Sequence, residues 1–241
     1  MKKILRIVSR TSALALWQAN FVKDALQTLY PNLEIPIIGI KTEGDKVLDV
    51  SLSKIGGKGL FVKALEEMLL AETADIAVHS LKDMPAELPI GLTLSTILER
   101  EDPRDGFIAN HFNSIQELPT NATVGTSSLR RQCQLLALRR DLHCQLLRGN
   151  VDTRIRKLDL GEYDGILLAV AGVKRLSLSH RIKQYLSYPE MLPAVGQGAL
   201  AIECRTTDFE TNELLKPLHH IATSQCVLAE RSMSAYLQGG C

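Results

Sequence analysis

The sequence lacks an excess of charge of either sign. Its 28 lysines and arginines nearly balance its 27 aspartates and glutamates, so the formal net charge at pH 7 is only +1. A general nucleic-acid binder needs a basic face that displaces the counterions around phosphates. The balance therefore argues against that class of protein, and we expect no nucleic-acid partner.

The sequence also lacks a cysteine motif. Five cysteines are scattered along the chain without a Cys-x-x-Cys pair. This odd and scattered set matches neither a disulfide framework nor a zinc site. We therefore expect no bound metal, and most of these residues should be small buried apolar groups.

Long apolar runs are missing as well. The longest, such as residues 165–173, are too short to cross a bilayer. Near the start, Arg6 and Arg10 interrupt the apolar segment that a signal peptide would need. These features predict a cytoplasmic protein without a membrane partner.

The pattern that is present alternates short apolar runs with helical periodicity, which is typical of α/β folds with mainly parallel sheet. A similar order occurs twice. Residues 5–9 form a predicted strand that leads into Ser12 and a helix, and residues 122–125 lead into Ser128 and a helix. Helix N-termini at strand ends favour anions, so each half should offer an anion-binding edge to a cleft between them.

Two segments should connect these halves. The chain is expected to cross to the second half over residues 98–104 and to return over residues 188–198. Residues 199–204 then read as a strand that rejoins the first sheet.

Arginines are concentrated in one stretch. Between residues 126 and 157 there are seven: Arg130, Arg131, Arg139, Arg140, Arg148, Arg154 and Arg156. A guanidinium group grips a carboxylate or phosphate with two hydrogen bonds. A capped helix with solvated arginines is the alternative. The arrival of Arg148 and Arg154 from two other predicted elements favours a convergent anion site.

Two further segments contain candidate functional residues. Lys82 and Asp83 should emerge at the end of a buried strand, where a carboxylate near arginines would stay ionised and could stabilise a cation or relay a proton. A polar loop is the alternative. The Gly-rich residues 54–61 predict either a mobile lid, with Lys54 and Lys58 covering an anion, or a flexible surface loop.

Cys241 follows a predicted helix that Gly239 and Gly240 should end. The negative end of the helix dipole disfavours a thiolate, so this position does not suit a nucleophile that turns over. It suits a fixed attachment point, and an incidental terminal cysteine is the alternative.

Taken together, motifs across the chain resemble the porphobilinogen deaminase family, also called hydroxymethylbilane synthases. They are SRTSALA (9–15), GGKGLF (56–61), HSLKDMP (79–85), EREDPRD (99–105), GTSSLRRQ (125–132), LRGNVDTR (147–154), LPAVGQGA (192–199) and LQGGC (237–241). One such motif would be weak evidence, but all of them in order are specific.

The resemblance implies a monomeric cytoplasmic transferase of haem and porphyrin biosynthesis. It would condense four porphobilinogen molecules into the linear tetrapyrrole hydroxymethylbilane, releasing ammonia at each step. The cofactor would be a dipyrromethane primer joined by a thioether to Cys241. Since every pyrrole bears an acetate and a propionate, a charge-balanced chain with clustered arginines is what such an enzyme needs.

The resemblance also implies two periplasmic-binding-protein-like domains with a central cleft, plus the start of a small third α/β domain. The first domain would comprise residues 1–98 with 199–216, the second residues 104–192, and the third would begin at residues 217–241. Family chains continue for several tens of residues beyond the position matched by Cys241. An inactive fragment is therefore one alternative to an active enzyme. A non-enzymatic binder of a small anion, using the same two-lobed cleft without chemistry, is another.

Roles are implied residue by residue. Asp83 matches the catalytic carboxylate, which would assist ammonia loss and stabilise an azafulvenium-like cation. Arg10, Arg148 and Arg154 would be the other residues of the catalytic site. Cofactor binding falls to Cys241, Ser12, Lys82, Asp83, Thr126, Ser128, Arg130, Arg131 and Arg148. Substrate carboxylates would be bound by Arg10, Arg148, Arg154 and Arg175. Lys54, Lys58 and Phe61 would belong to the lid, and Gln197 to the return segment.

Overall fold

Two five-stranded sheets form the framework of the computed structural model, which describes residues 2–42 and 62–239. The strands are β1 (Ile7–Arg10), β2 (Ile37–Ile40), β3 (Ile76–Ser80), β4 (Leu92–Ile97), β5 (Asp105–Ile108), β6 (Thr123–Gly125), β7 (His143–Gln145), β8 (Gly165–Ala169), β9 (Ile182–Tyr185) and β10 (Leu200–Arg205). The first sheet has the order β2-β1-β3-β10-β4 and the second β7-β6-β8-β5-β9.

Helices pack against both sheets. Within the described residues they are α1 (Ala13–Leu29), α2 (Lys63–Leu70), α3 (Leu129–Leu138), α4 (Val151–Asp159), α5 (Val170–Arg175), α6 (Phe209–Leu215) and α7 (Ile221–Tyr236). We call the first sheet with α1, α2 and α6 the first lobe, and the second sheet with α3, α4 and α5 the second lobe. No helix in the described part of the chain is long and apolar enough to cross a membrane.

The α/β fold class is confirmed, but the sheets are more mixed than the sequence predicted. Parallel pairing joins β1 to β2 and β3, and β6 to β7 and β8. The other ladders are antiparallel, because β10 lies between β3 and β4 and because β5 lies between β8 and β9. The predicted return of residues 199–204 to the first sheet is confirmed by β10.

Each lobe has its own apolar core. In the first, Val22 and Leu26 of α1 are fully buried against Ile7 and Ile76 of the sheet. In the second, Phe107 of β5 is fully buried at the centre. Each such side chain contributes about 1.5–3 kcal/mol on leaving water. Each sheet is therefore held by its own apolar core, and side chains at the strand ends are positioned on that framework.

The two connections between the lobes lie side by side. We call residues 98–104 the crossing segment and residues 188–198 the return segment. The amide of Glu101 donates to the carbonyl of Gly198 at 3.3 Å. Gly198 has φ +92°, and a Cβ there would lie 2.3 Å from the Glu101 carbonyl oxygen. Only glycine permits this approach.

The helix α7 packs beside these connections. Val227 is buried in a cluster with Leu81 and Ile97 of the first lobe. The guanidinium group of Arg100, in the crossing segment, pairs with Glu230 of α7 at 2.5 Å. The domain boundaries at residues 1–98 with 199–216, 104–192 and 217–241 remain predictions.

Candidate active site

Polar side chains of the first lobe follow the ends of β1 and β3. Ser12 caps α1, its hydroxyl accepting a bond from the Ala15 amide at 3.4 Å. A 3-10 turn, Leu81–Asp83, continues directly from β3. Parallel strands end at the same edge of a sheet, so these residues meet. They line a cavity together with neighbours, including Arg10, Ser12, Gln18, His79, Ser80 and Asp83.

The second lobe presents a matching edge after β6. Ser128 caps α3, because its hydroxyl accepts from the Arg131 amide at 3.5 Å, and its own amide donates to the Thr126 hydroxyl at 3.2 Å. Thr126 is itself tied to β7 through the Gln145 carbonyl at 2.9 Å. Each lobe thus has a hydroxyl-capped helix N-terminus at its own edge, where anions are favoured.

Adjacent arginines of α3 surround one buried carboxylate, that of Asp105 in β5. Arg131 donates from Nε at 3.0 Å and from Nη2 at 2.7 Å to Oδ1, and Nη1 of Arg130 lies 2.7 Å from Oδ2. Burial raises the pKa of Asp105, but the charges of Arg131 and Arg130 outweigh it and the pKa is lowered. Asp105 is therefore ionised.

The two edges act on each other electrostatically. The pKa of Lys82, in the first lobe, is lowered to about 8: burial is the largest cause, Arg131 and Arg154 of the second lobe add to it, and Asp83 and Asp105 oppose it. Burial also lowers the pKa of Arg154 to about 10, assisted by Arg131 and Arg148 and opposed by Asp83. Groups from both lobes therefore share one cleft.

Most predicted site residues are placed at this cleft. The electrostatic group contains Lys82, Asp83, Arg131, Arg148 and Arg154. Arg10 and Ser12 border Asp83 in the cavity. Thr126, Ser128 and Arg130 lie on the facing edge, at the start of α3. Arg154 is oriented by its own chain, since its Nε donates to the Gly149 carbonyl at 2.7 Å.

Arg175 lies at the contact between the lobes. Its Nη2 donates to the Gly198 carbonyl at 2.7 Å, and its guanidinium carbon is 5.8 Å from the centre of the Trp17 ring. Burial lowers its pKa to about 10, opposed by Glu101. In this conformation Arg175 joins the return segment to α1, whereas its predicted role is to bind substrate.

Some predicted site residues lie outside the described part of the chain. They are the lid residues Lys54, Lys58 and Phe61, and the attachment residue Cys241.

Several residues that border this site were not predicted from the sequence. Gln18 donates to the Ser80 hydroxyl at 2.7 Å in the wall of the cavity. His79 is buried, with Nε2 3.0 Å from the Glu203 carboxylate of β10. Asp105 lay within a recognised motif but had no assigned role. His79 and Asp105 are polar residues of strands and Gln18 is a polar residue of α1, and the sequence pattern does not reveal their partners.

The donor set is cationic and hydroxylic rather than metal-binding. Among residues 2–42 and 62–239, no three histidine, cysteine or acidic side chains are grouped closely enough to hold a metal ion. Lysine, arginine, serine and threonine instead suit carboxylates. The site can therefore bind an organic polyanion beside one exposed carboxylate, Asp83.

The fold is shared with periplasmic binding proteins. A methionine-binding lipoprotein of Bacillus subtilis matches with a TM-score of 0.56 and 13% identity, covering 92% of each chain. A periplasmic substrate-binding protein of an ABC transporter from Coxiella burnetii matches with a TM-score of 0.55 and 14% identity, over 94% of this chain and 96% of that one. At these identities the likeness shows the fold alone, and it confirms the expected architecture.

The sequence comparisons are more specific. Residues 5–213 match the family model described as "porphobilinogen deaminase, dipyromethane cofactor binding domain". A porphobilinogen deaminase of Nitrosomonas europaea is 59% identical over 240 residues, covering 100% of this chain and 78% of the relative. This family consists of transferases of porphyrin biosynthesis. The chain therefore belongs to the porphobilinogen deaminase family.

Proposed function

We propose that this chain condenses four porphobilinogen molecules stepwise into hydroxymethylbilane, releasing ammonia, as a monomer in the cytoplasm. The observation that supports it best is the position of Asp83. This carboxylate lies in a cleft where it acts electrostatically on Lys82 of its own lobe and on Arg154 of the other. A cation-stabilising group is thus set among groups that bind anions.

The residues at the cleft fit a dipyrromethane cofactor. Two pyrroles bring four carboxylates, and the site offers lysine, arginine and hydroxyl donors in both lobes. We assign its binding to Ser12, Lys82, Asp83, Thr126, Ser128, Arg130 and Arg148, with a thioether to Cys241. A role of Arg131 in cofactor binding stays a prediction, because its three guanidinium nitrogens already donate to Asp105 and to the Leu167 carbonyl. When bound, the cofactor supplies the free pyrrole carbon to which the first substrate is added.

Asp83 would act on the substrate. In each addition the bond between the aminomethyl carbon and its protonated nitrogen breaks, and the nitrogen leaves with the electron pair as ammonia. A carbon–carbon bond forms at the same carbon, and the attacking pyrrole carbon loses its proton, which the released ammonia takes up as ammonium. The positive charge that develops on the substrate is stabilised by a preorganised carboxylate.

The arginines would hold the carboxylates of the substrate and of the growing chain. Arg10 arrives from β1, Arg148 follows β7, and Arg154 belongs to α4, so they approach from three elements of two lobes. A hydrogen bond between charged groups contributes about 1.5–3 kcal/mol. Arg175 would join them when the lobes move relative to each other.

The decisive experiment combines intact mass with turnover. We expect an adduct of two pyrrole units, absent in Cys241→Ser. Asp83→Asn should keep the adduct but lose nearly all product formation from porphobilinogen, because its amide cannot stabilise the cation. The control is Asp141→Asn, which removes a carboxylate paired with Arg139 at the surface of the second lobe.

The outcomes separate the alternatives. Near-normal product formation by Asp83→Asn would remove Asp83 from the mechanism. A bare polypeptide mass together with no ammonia release would leave an inactive fragment, or a small-anion binder if porphobilinogen still bound.

A further inference from the structure

The carboxylate of Asp105 is the centre of a buried polar cluster beneath the cleft. It is fully buried, and it contacts Arg130 and Arg131 of α3. Gln197 of the return segment adds a third contact, as its Nε2 donates to Oδ1 at 3.0 Å. One carboxylate therefore joins the arginine pair to a segment that connects the lobes.

The two arginines use their guanidinium groups differently. Arg131 is buried and donates from all three nitrogens, with Nη1 bonded to the Leu167 carbonyl at 3.0 Å. Arg130 is half-buried, and its contacts with Asp105 and with the Leu192 carbonyl are both made through Nη1. The rest of the Arg130 group can meet an anion, whereas Arg131 is engaged inside the protein.

The arginines need such a counter-charge. Both lie in the first turn of α3, where the positive end of the helix dipole disfavours cations. Two adjacent guanidinium groups also repel each other. An ionised carboxylate in contact with both offsets these effects, and it sets the direction in which Arg130 reaches the cleft.

Gln197 extends this arrangement to the connections between the lobes. Besides Asp105, its Nε2 donates to the carbonyl of Pro103 at 2.6 Å. The backbone carbonyl of Gln197 accepts from Nε of Arg100 at 2.8 Å. The crossing segment, the return segment and the arginine pair are thus bonded within one network.

We propose that Asp105 is a positioning residue of this site: it holds Arg131 in place, orients Arg130 towards the anionic ligand, and supplies the buried negative charge that keeps the cationic cleft assembled. That the ligand is the pyrrole chain rests on the proposed function. The placement of the two arginines by Asp105 does not.

The proposal also implies an effect on Lys82. The charged groups that act on Lys82 are Asp83, Arg131, Asp105 and Arg154. Asp105 raises the pKa of this ammonium group, so replacing Asp105 with a neutral residue should lower it further. The loss of Lys82 charge with rising pH would then begin at lower pH.

The test compares Asp105→Asn with Asp75→Asn. Asp75 is a matched control, because it is equally buried and also paired with two arginines, Arg6 and Arg205. Asp75 precedes β3 and Lys82 follows β3, so the strand separates these two residues by roughly 17 Å. Both substitutions remove a buried charge, but only Asp105→Asn should alter the cleft.

The first readout needs no activity. In the unmodified chain the Nε proton of Arg131 should exchange at least about tenfold more slowly than that of exposed Arg140, as seen by nitrogen-15 NMR. Asp105→Asn should remove most of this protection and Asp75→Asn should not. Fast exchange of Arg131 in the unmodified chain would overturn the proposal even if Asp105→Asn failed to fold.

The second readout is the pH profile of kcat/KM for porphobilinogen. Asp105→Asn should lower kcat/KM by about tenfold or more, because misplaced binding groups reduce reaction rates by factors of this size. It should also move the alkaline limb of the profile to lower pH, because the pKa of Lys82 is lowered. Asp75→Asn should keep the limb unchanged. Equal effects of the two substitutions, or none, would refute a positioning role. If the unmodified chain makes no product, the proposed function fails while the exchange measurement still decides the role of Asp105.

Discussion

Replacing Asp75 with asparagine should destabilise the first lobe strongly and in a pH-dependent way. The side chain is 2% exposed and accepts bonds from Nε of Arg6 at 2.9 Å and from the Arg6 amide at 2.7 Å. Nζ of Lys2 lies 2.9 Å from Oδ1, and Nη2 of Arg205 lies 3.5 Å from the same oxygen. Asparagine keeps the shape but leaves three cations without their common partner.

The magnitude follows from the burial of this network. Breaking a buried ion pair by removing one member costs about 3–5 kcal/mol, because the remaining charge is left uncompensated. Arg6 is partly exposed and can be resolvated, so we expect the lower end, about 3 kcal/mol. At an m-value of about 3 kcal/mol/M, the urea midpoint should fall by roughly 1 M.

The pH dependence has a definite sign. Burial alone would raise the pKa of Asp75, but the bonds from Arg6 and Lys2 hold it well below its usual range. A carboxyl group with a lowered folded pKa stabilises the protein above its unfolded pKa, near 3.9, and this contribution is lost as the pH falls towards the folded value. The difference in the free energy of unfolding between the unmodified chain and Asp75→Asn should therefore be largest at pH 7 and should shrink below about pH 4.

Urea unfolding at pH 7 and at pH 3, followed by circular dichroism, measures both quantities. The control is Asp141→Asn, which breaks a surface pair with Arg139 and should move the midpoint much less. Equal midpoints for Asp75→Asn and the unmodified chain at pH 7 would refute the reasoning, and so would a gap that does not depend on pH.

Two further predictions concern packing and binding. Gly165→Ala should lower the urea midpoint, because the added Cβ would lie 2.3 Å from the Phe107 ring and overpacking costs about 1–3 kcal/mol. The control is Gly172→Ala in α5, because the added Cβ would meet Leu14 at an ordinary 3.5 Å. Binding of porphobilinogen, measured by calorimetry, should weaken as the pH rises through about 8, where Lys82 loses its proton. Lys82→Met should bind more weakly at pH 7 and lose this pH dependence; an unchanged profile would contradict a role for Lys82.

The local order of strands, caps and helices could be predicted from the sequence. Ser12 and Ser128 were expected at helix starts, and both cap helices through their hydroxyls. These features depend on neighbours within a few residues, because capping and hydrophobic periodicity are short-range effects. For the same reason, the position of Lys82 and Asp83 at the end of a buried strand could be predicted from the sequence.

Strand pairing and the partners of charged groups were decided only by the tertiary structure. The antiparallel position of β10 brings residue 200 beside residue 80, and nothing local specifies that register. Asp105 meets Arg131 and Gln197 across 26 and 92 residues of chain. A run of arginines therefore indicates an anion site, but whether each guanidinium group faces a ligand or an internal carboxylate depends on contacts that form only when both sheets and their connections have packed.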